Sequence, residues 1–426
     1  MIAAIVTALL ALLAGLPFSR RIGEAYLLGV GIQAAILCVL PWSRPMIITA
    51  LFVWSAGLLA WRRPERPSLH WPSLHWLDLA TLVLIAGYAR FATLASPTEI
   101  DYICIWGLKA ERFFFAHGID WNFLAQPFNA FVHPDYPLLV PLAYDFQAIV
   151  GDAWIERWAG ALNIGCGIAA LLIIRSELRG WIGALTAFIL MPLVFSPYVG
   201  DAEGPLIAYS VAAILPLRRR ENVTRSAVFL GLAASCKNEG LTLIVAVAIA
   251  MMIAGAKQLI PKLWPAVAIP LPWLIISRLH HLHSDFAAGS VMDRIVEHAT
   301  NLAPMLQAMA SYPPGRVIFW IGLAAALAIG WRRVVTDERF LASVIGLQLL
   351  AFIAAYVITP HDVSWHVRWS WERVVLQVTA LLAFLAIVVK VKYFDALLPD
   401  RDRADAHRLR DGVASRSAEH SDRIDA

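Results

Sequence analysis

The sequence predicts an all-α fold, a polytopic bundle of about 12–13 transmembrane helices, each needing roughly 17–25 apolar residues. The first reason is composition, because 59% of the 426 residues are hydrophobic and 15% are charged, whereas soluble domains carry about 25% charged residues. The second reason is pattern, because apolar runs recur along the chain and one long polar segment, 95–157, interrupts them. The net charge of +4 is small and gives no indication of a nucleic-acid partner.

The predicted spans follow one another with short connections, except where the polar segment intervenes. The run 226–255 is too long for one span and contains the polar sequence Cys236-Lys-Asn-Glu-Gly240. We expect two short helices that meet there, since broken helices at membrane depth line cavities. The expected spans are 2–16, 24–40, 46–61, 76–94, 158–175, 181–197, 205–217, 226–255 as a hairpin, 261–277, 316–331, 339–358 and 373–392.

Basic residues predict the orientation, because loops rich in Lys and Arg stay in the cytoplasm. With these clusters inside, the N-terminus lies outside, the C-terminus is cytoplasmic, and the carboxylate-rich connections lie outside. The first apolar run follows no positive charge, so we expect a span rather than a signal peptide. Residues 393–426 contain few large apolar residues, which predicts a disordered cytoplasmic tail. The basic clusters are Arg20/Arg21, Arg62/Arg63/Arg66, Arg175/Arg179, Arg218/Arg219/Arg220/Arg225, Lys257/Lys262, Arg332/Arg333 and Lys390/Lys392.

Cysteine and histidine spacing argues against a metal site. Cys38, Cys104, Cys166 and Cys236 form no CxxC or Cys/His pattern. The run His280-His-Leu-His283 lacks the ligand spacing of a metal site on a defined element. We therefore expect neither a bound metal nor a disulfide framework.

Glu99 and Asp101 open the long polar segment. In the helix that we expect to follow, Tyr102, Trp106 and Phe113 recur on one apolar face, so this helix would lie along the membrane surface. Asp101 would then occupy the first turn, where it could act as a general base. The alternative is that both carboxylates only neutralise the positive end of the helix.

A second polar group, His133, Asp135 and Tyr136, is framed by prolines. Proline disfavours helix at these positions, so the turn would hold His133 and Asp135 where the chain returns to the membrane surface. A second interfacial helix is expected at 138–150. The alternative is an interfacial turn with solvated side chains.

Charged residues also stand at two breaks between apolar runs. Glu203 lies in the turn 200–205, whereas Lys237 and Glu239 lie in the break of the run 226–255. Charges between apolar half-helices are costly unless they face water or a partner, so Lys237 is a candidate for binding a phosphate. The alternatives are a solvated turn at Glu203 and an internal Lys237–Glu239 ion pair.

The last outer segment combines His366, Arg368 and Arg373 with three tryptophans. Arginine recognises phosphate with a rigid fork of donors, and basic segments at a membrane surface suit anionic headgroups. An ordinary aromatic belt at the interface is the alternative.

Together and in this order, these segments resemble the GT-C class of membrane glycosyltransferases, and most closely bacterial relatives of the dolichyl-phosphate-mannose protein mannosyltransferases. The resemblance covers residues 76–392 and leaves 1–75 as additional N-terminal spans. The sequence departs from the family pattern at Glu372, where Asp is expected, and at Tyr102, where a small residue is expected. The segments that carry the resemblance are Ile100–Ala110, His133–Pro141, Gly200–Leu206, Ala234–Leu241 and Trp365–Arg373.

The resemblance implies an inverting enzyme that moves a sugar from a polyprenyl-phosphate lipid to an acceptor hydroxyl on the outer face of a bacterial inner membrane. It places the base at Asp101, beside Glu99, and it requires no metal or other cofactor. The acceptor, a glycan, lipid or protein, stays open. The resemblance implies substrate binding by Lys109, His133, Asp135, Tyr136, Glu203, Lys237, Glu239, His366, Arg368 and Arg373.

Three other classes stay open on the sequence. A transporter or lipid flippase would show internal repeats and ionisable residues near mid-span, whereas here the charges concentrate at the outer span ends. An O-antigen ligase or polymerase would use the same lipid chemistry with a whole glycan as donor, although its large loop comes late in the chain. The third class is a membrane scaffold without catalytic activity.

Overall fold

The computed structural model describes residues 2–62, 74–178, 180–284, 290–299, 302–311 and 317–397. These residues form helices and connecting segments, with no strand among them, which confirms the predicted all-α class. Apolar segments fold in this way because a helix satisfies its own backbone hydrogen bonds. The tail was predicted to be disordered from residue 393, but residues 393–397 belong to the last helix, and the tail from 398 onward lies outside the described residues.

The helices fall into three groups along the chain. Four helices precede the long polar segment: α1 (Ile2–Gly15), α2 (Ile22–Val39), α3 (Arg44–Arg62) and α4 (Trp76–Leu94). Three helices lie within that segment: α5 (Gly107–Ala116), α6 (Trp121–Ala125) and α7 (Leu139–Gly151). The helices that follow are α8 (Ala159–Glu177), α9 (Gly180–Val194), α10 (Glu203–Arg218), α11 (Val223–Ala234), α12 (Glu239–Ile253), α13 (Trp264–Ala268), α14 (Leu271–Leu279), α15 (Val291–Ala299), α16 (Leu302–Ser311), α17 (Val317–Ile329), α18 (Trp331–Thr336), α19 (Arg339–Val357) and α20 (Val363–Leu397).

Several of these helices are able to cross a membrane. Among the described residues, five segments are long and apolar enough, and the bent pair Lys257–Ala268 and Leu271–Leu279 makes a sixth if it counts as one span. They indicate a multi-pass membrane protein. The count of about 12–13 spans stays a prediction, because several other predicted spans form apolar helices of only 10–17 residues. The five segments are Ile22–Val39, Trp76–Leu94, Glu156–Glu177, Arg339–Val357 and Val363–Val391.

Helix α10 lies at the centre of the bundle. All of its residues from Glu203 to Leu217 are buried, and it packs against α8, α11 and α20. In its middle, the hydroxyl of Tyr209 donates to the carbonyl oxygen of Leu27 in α2 at 2.9 Å. Glu203 is the first residue of α10 and is itself buried. The N-terminus of this helix is therefore enclosed by the neighbouring helices.

The run 226–255 forms two helices, α11 and α12, as expected. The turn between them, 235–238, contains Lys237. It contacts the long polar segment, because the amide of Leu139 donates to the carbonyl oxygen of Ser235 at 3.1 Å. The break in the apolar run thus joins two segments that are far apart in sequence.

The long polar segment packs against other helices of the described chain. Its first helical part is a π-helical turn, Tyr102–Trp106, which continues into α5. Tyr102 and Trp106, expected at headgroup level, are buried, as is Phe113, because α5 packs against α7. Helix α7 was expected at the interface, but it is buried from Leu139 to Val150, because α1, α2 and α5 pack against it.

Helix α20 begins earlier than the predicted span at 373–392. It starts at Val363, where Oδ1 of Asp362 accepts a hydrogen bond from the amide of Trp365 at 2.8 Å. Such a contact is a typical N-cap, and it turns most of the expected outer connection 359–372 into helix. His366, Arg368 and Arg373 therefore lie on one helix, and its rotation decides which of them faces the bundle.

Ion pairs connect helix ends at the end of the bundle where cytoplasmic connections are predicted. Arg225 contacts Glu24 at 2.6 Å, Arg175 contacts Asp78 at 3.0 Å and Arg218 contacts Glu338 at 2.9 Å. Each pair joins helices that are distant in sequence, which agrees with the predicted alternation of spans. The side of the membrane on which this end lies stays a prediction.

Candidate functional site

Acidic residues lie at helix N-termini at the opposite end of the bundle. Asp101 immediately precedes the π-helical turn, Glu203 is the first residue of α10, and Glu239 is the first residue of α12. Asp201 lies in the short turn before α10. The positive end of a helix dipole stabilises carboxylates at such positions. Because these helices begin at the same end of the bundle, their acidic groups lie in the same region.

Arg373 of α20 joins two of these carboxyl groups. Its Nη1 forms a close ion pair with Oδ2 of Asp101 and lies 3.4 Å from Oδ2 of Asp201. The side chains of Asp101 and Arg373 are 15% and 17% exposed, whereas the side chain of Asp201 is fully buried. The guanidinium group therefore has one accessible carboxylate and one enclosed partner.

Lys237 joins the other two carboxyl groups. Its ammonium nitrogen lies 2.8 Å from Oε1 of Glu203 and 3.1 Å from Oε1 of Glu239. The internal Lys237–Glu239 pair, which was the alternative to phosphate binding, is thus present, and Glu203 adds a second partner. Lys237 and Glu203 are both buried, so the lysine holds the start of α10 against the α11–α12 turn.

The turn before α10 is fixed from three sides. Gly200, with φ of +90°, donates its amide to Oδ1 of Asn163 at 3.1 Å and accepts from the hydroxyl of Tyr144 at 2.8 Å. A Cβ atom at this glycine would lie 2.5 Å from the ring of Tyr102. These contacts position Asp201 beneath Arg373. The sequence did not single out Asn163 and Tyr144, because a lone polar residue inside an apolar run carries no recognisable signal.

The α12 end of the site has a similar support from α19. The side-chain amide of Gln348 donates to the carbonyl oxygen of Glu239 at 3.0 Å and to Oγ1 of Thr242 at 3.0 Å. Gln348 is buried, and it fixes the first turn of α12. Sequence reasoning did not identify this residue either, because its partner lies far away in the chain.

Lys109 is fully buried on the inner face of α5. Its ammonium nitrogen donates to the carbonyl oxygen of His133 at 3.1 Å and lies 5.0 Å and 5.8 Å from the ring centroids of Trp106 and Tyr136. Burial lowers the pKa of Lys109 to about 7, and the charge of Asp135 opposes this shift. Lys109 therefore connects α5 to the turn at 133–136. It does not directly contact the carboxylate cluster, which consists of Asp101, Asp201, Glu203 and Glu239 with the cations Arg373 and Lys237.

The turn at 133–136 closes over this lysine. The imidazole of His133 stacks on the ring of Tyr136 with centroids 4.7 Å apart, and the indole of Trp273 donates to the carbonyl oxygen of Asp135 at 2.9 Å. Burial raises the pKa of Tyr136, as does the charge of Glu239, which is its largest electrostatic neighbour. Tyr136 thus links this turn to the Lys237 side of the cluster.

The first turns of α20 present two different faces. His366 faces the protein, where its Nδ1 lies 2.7 Å from Oγ1 of Thr359 and its ring lies 5.0 Å from that of Tyr356. Arg368 is exposed together with Trp365 and Trp369. The structure therefore separates Arg368 from Arg373, although the sequence analysis grouped them as binders of one anionic group.

The cluster contains more carboxyl groups than cations, and burial changes their protonation. Burial raises the pKa of Glu99, with further increases from Asp101 and Glu203 and an opposing effect of Arg373. Burial also raises the pKa of Asp201 well above its ordinary value, and the neighbouring charges of Glu203 and Asp101 add to this. Both pKa shifts act in the direction that makes Glu99 and Asp201 easier to protonate than ordinary carboxyl groups.

The described residues include no group of three or more His, Cys, Asp or Glu side chains that could hold a metal ion. In the histidine run, His280 instead stacks on Trp121 with ring centroids 4.1 Å apart. Comparison with models of protein families, with curated proteins and with solved structures finds no match. The chemistry of the cluster itself is therefore the basis for assigning a function to this protein.

Proposed function

We propose that this protein is an inverting glycosyltransferase that moves a sugar from a polyprenyl-phosphate lipid to an acceptor hydroxyl at the membrane surface. The observation that carries the proposal is the contact between Arg373 and Asp101. It combines a group suited to phosphate with a group suited to accept a proton. Both are partly accessible at one end of a helix bundle, where a lipid-linked phosphate can enter from the side.

The reaction needs one proton acceptor and one cation. Asp101 accepts the proton of the acceptor hydroxyl while the acceptor oxygen forms a bond to the anomeric carbon of the sugar. The bond between that carbon and the phosphate oxygen breaks, and its electron pair leaves with the phosphate. Arg373 stabilises the negative charge that develops on the phosphate. Attack from the side opposite the phosphate inverts the anomeric configuration.

The remaining members of the cluster position these groups in the proposed enzyme. Lys237 holds Glu203 and Glu239 in place through its two ion pairs, and carboxylates accept hydrogen bonds from sugar hydroxyls. Glu99 lies close enough to Arg373 and Asp101 to interact with their charges and is the second candidate for a proton-accepting role. His366 and Arg368 lie nearer the start of α20, where a lipid headgroup would first meet the protein.

Turnover of the lipid donor tests the proposal. The purified protein in detergent or nanodiscs is supplied with polyprenyl-phosphate sugars, and consumption of each lipid is followed by mass spectrometry in the presence of envelope extracts as acceptor. Asp101→Asn should reduce transfer by about 10²–10⁴-fold, the contribution typical of a general base. Glu372→Gln removes the charge of an exposed carboxylate next to Arg373 and should retain activity.

Two results would contradict this assignment. A normally folded Asp101→Asn variant with wild-type turnover would exclude Asp101 as the base. Absence of any turnover with the wild-type protein, together with unchanged envelope glycans and lipids in cells that lack it, would argue against the transferase itself.

A further inference from the structure

The two carboxyl groups that contact Arg373 differ in distance and in accessibility. Asp101 forms the closer contact and is partly exposed, whereas Asp201 is 3.4 Å away and fully enclosed. Asp201 is also held by a rigid turn, through the contacts of Asn163 and Tyr144 with Gly200. A ligand that arrives at the mouth of the cluster can therefore displace Asp101 from the guanidinium group but cannot displace Asp201.

We propose that the phosphate of the donor lipid exchanges with Asp101 on Arg373, so that donor binding releases the carboxylate which then acts as the base. Asp201 keeps Arg373 in place during this exchange. The inference rests on the proposed function and adds an order to it, because the donor must bind before the acceptor hydroxyl can lose its proton.

The resting contact explains why release is needed. A carboxylate whose lone pairs are held by a guanidinium group is a poor proton acceptor, because protonation would forfeit a charge-assisted hydrogen bond. The oxygen atoms of a phosphate can accept hydrogen bonds from the planar fork of donors on arginine, just as the oxygen atoms of a carboxylate do. Exchange therefore replaces one ion pair of Arg373 by another, and no buried charge is left without a partner.

Asp201 is suited to remain in contact with Arg373 while the phosphate replaces Asp101. Burial favours its neutral form by raising its pKa, with further contributions from Glu203 and Asp101. A neutral carboxyl group can accept a hydrogen bond from Arg373 without cancelling the positive charge of the guanidinium group. That charge then remains available to the phosphate once Asp101 has moved away.

Lys237 is a less suitable place for the exchange. Its two carboxylate partners lie on the first turns of α10 and α12, and the side chain of Glu203 is completely enclosed. The side chain of Lys237 is itself only 6% exposed, compared with 17% for Arg373, so a phosphate reaches Lys237 less readily even though Glu239 is 19% exposed. Arg373 is thus the cation of the cluster whose partner can be replaced.

Binding of a short lipid phosphate tests the exchange without any transfer reaction. Farnesyl monophosphate is titrated by calorimetry into the full-length protein in detergent. Asp101→Asn should bind it about tenfold more tightly than the wild type, equivalent to about 1.4 kcal/mol, because the competing carboxylate is absent. Arg373→Ala should lose the binding. Glu372→Gln removes an equal charge beside Arg373 without touching the ion pair, and its affinity should stay within about twofold of the wild type.

Asp101→Ser serves as a second variant in case Asp101→Asn does not fold, and it should show the same gain. Unchanged or weaker binding by a folded Asp101 variant would overturn the exchange, as would an equal gain in Glu372→Gln. This result is separable from the proposed function. Tighter binding without any sugar transfer by the wild type would support the exchange and contradict the transferase, whereas transfer without tighter binding would do the reverse.

Discussion

The ammonium nitrogen of Lys237 lies 2.8 Å from Oε1 of Glu203, and both side chains are buried. Glu239 provides a second carboxylate at 3.1 Å. In such an arrangement, removal of one partner leaves a buried charge without its counter-ion and costs about 3–5 kcal/mol. The contact therefore fixes the α11–α12 turn against the start of α10, whatever else Lys237 does.

We expect Lys237→Met to lower the apparent melting temperature of the purified protein, because Glu203 loses its hydrogen-bonded cation. The double variant Lys237→Met/Glu203→Gln should recover part of the loss, since it removes the unpaired charge as well. Tryptophan fluorescence during heating in detergent measures both. Wild-type stability of the single variant would show that Lys237 is not structural, and it would strengthen its original interpretation as a phosphate-binding residue.

Gly200 provides a second test of how the cluster is built. Its φ of +90° is strained for residues with a Cβ atom, and an added Cβ would lie 2.5 Å from the ring of Tyr102. Gly200→Ala should therefore cost about 2 kcal/mol or more and displace Asp201 from Arg373. Gly118→Ala is the matched control, because a Cβ at that glycine meets nothing within 4 Å. Equal melting temperatures for the two variants would contradict this account.

Much of the helical arrangement could be predicted from the sequence because apolar runs and their polar breaks are local signals. The break at 236–240, the turn at 200–205 and the acidic start of the long polar segment were each recognisable, and the structure brings Lys237, Glu203 and Asp101 to the same end of the bundle. The pairing of Arg373 with Asp101 was not predictable, because it depends on how far α20 extends and how it rotates.

The same rotation separates Arg368 from Arg373. Five residues along a helix correspond to a rotation of about 140° at roughly 100° per residue, so the two arginines cannot face the same ligand once residues 363–373 are helical. The contacts of Lys109 were not predictable for a related reason. Its helix was expected to lie on the membrane surface, but α7 covers the face that carries Lys109. Packing between distant segments decided both positions, and no short pattern contains that information.

The ion-pair network at the opposite end of the bundle should be structural. Glu24 is buried, and it accepts hydrogen bonds from Arg225 at 2.6 Å, Ser19 at 2.7 Å and Arg21 at 3.3 Å. Glu24→Gln should lower the melting temperature, with a cost of about 1.5–3 kcal/mol for the charged hydrogen bond that the partly exposed Arg225 loses. Arg21→Gln removes a half-exposed cation and should cost no more than about 1 kcal/mol.

Donor turnover provides the contrasting measurement for this network. Because Glu24 lies at the end of the bundle away from the carboxylate cluster, the Glu24→Gln protein that remains folded should turn over donor at the wild-type rate. A loss of turnover by folded protein, with little change in stability, would contradict a purely structural role for this end.

The pKa of Lys109 predicts how stability depends on pH. Burial lowers the pKa of this lysine from 10.5 to about 7, so between these two values the unfolded chain binds a proton that the folded protein does not. The free energy of unfolding should therefore rise with pH over this window, by at most about 1.4 kcal/mol per pH unit. Below pH 7 both states are protonated, and the contribution becomes constant.

Lys109→Met separates this effect from other titrating groups. Methionine keeps an unbranched side chain without a charge, so its stability relative to the wild type should be greatest near pH 6 and should decrease steadily as the pH rises to 9. Lys257→Met, at an exposed lysine, should follow the wild type at every pH. Melting temperatures measured across this range in one detergent provide the comparison. If the difference in stability between Lys109→Met and the wild type does not change with pH, then Lys109 keeps its ordinary protonation. Water must then hydrate its ammonium group among Trp106, Tyr136 and His133.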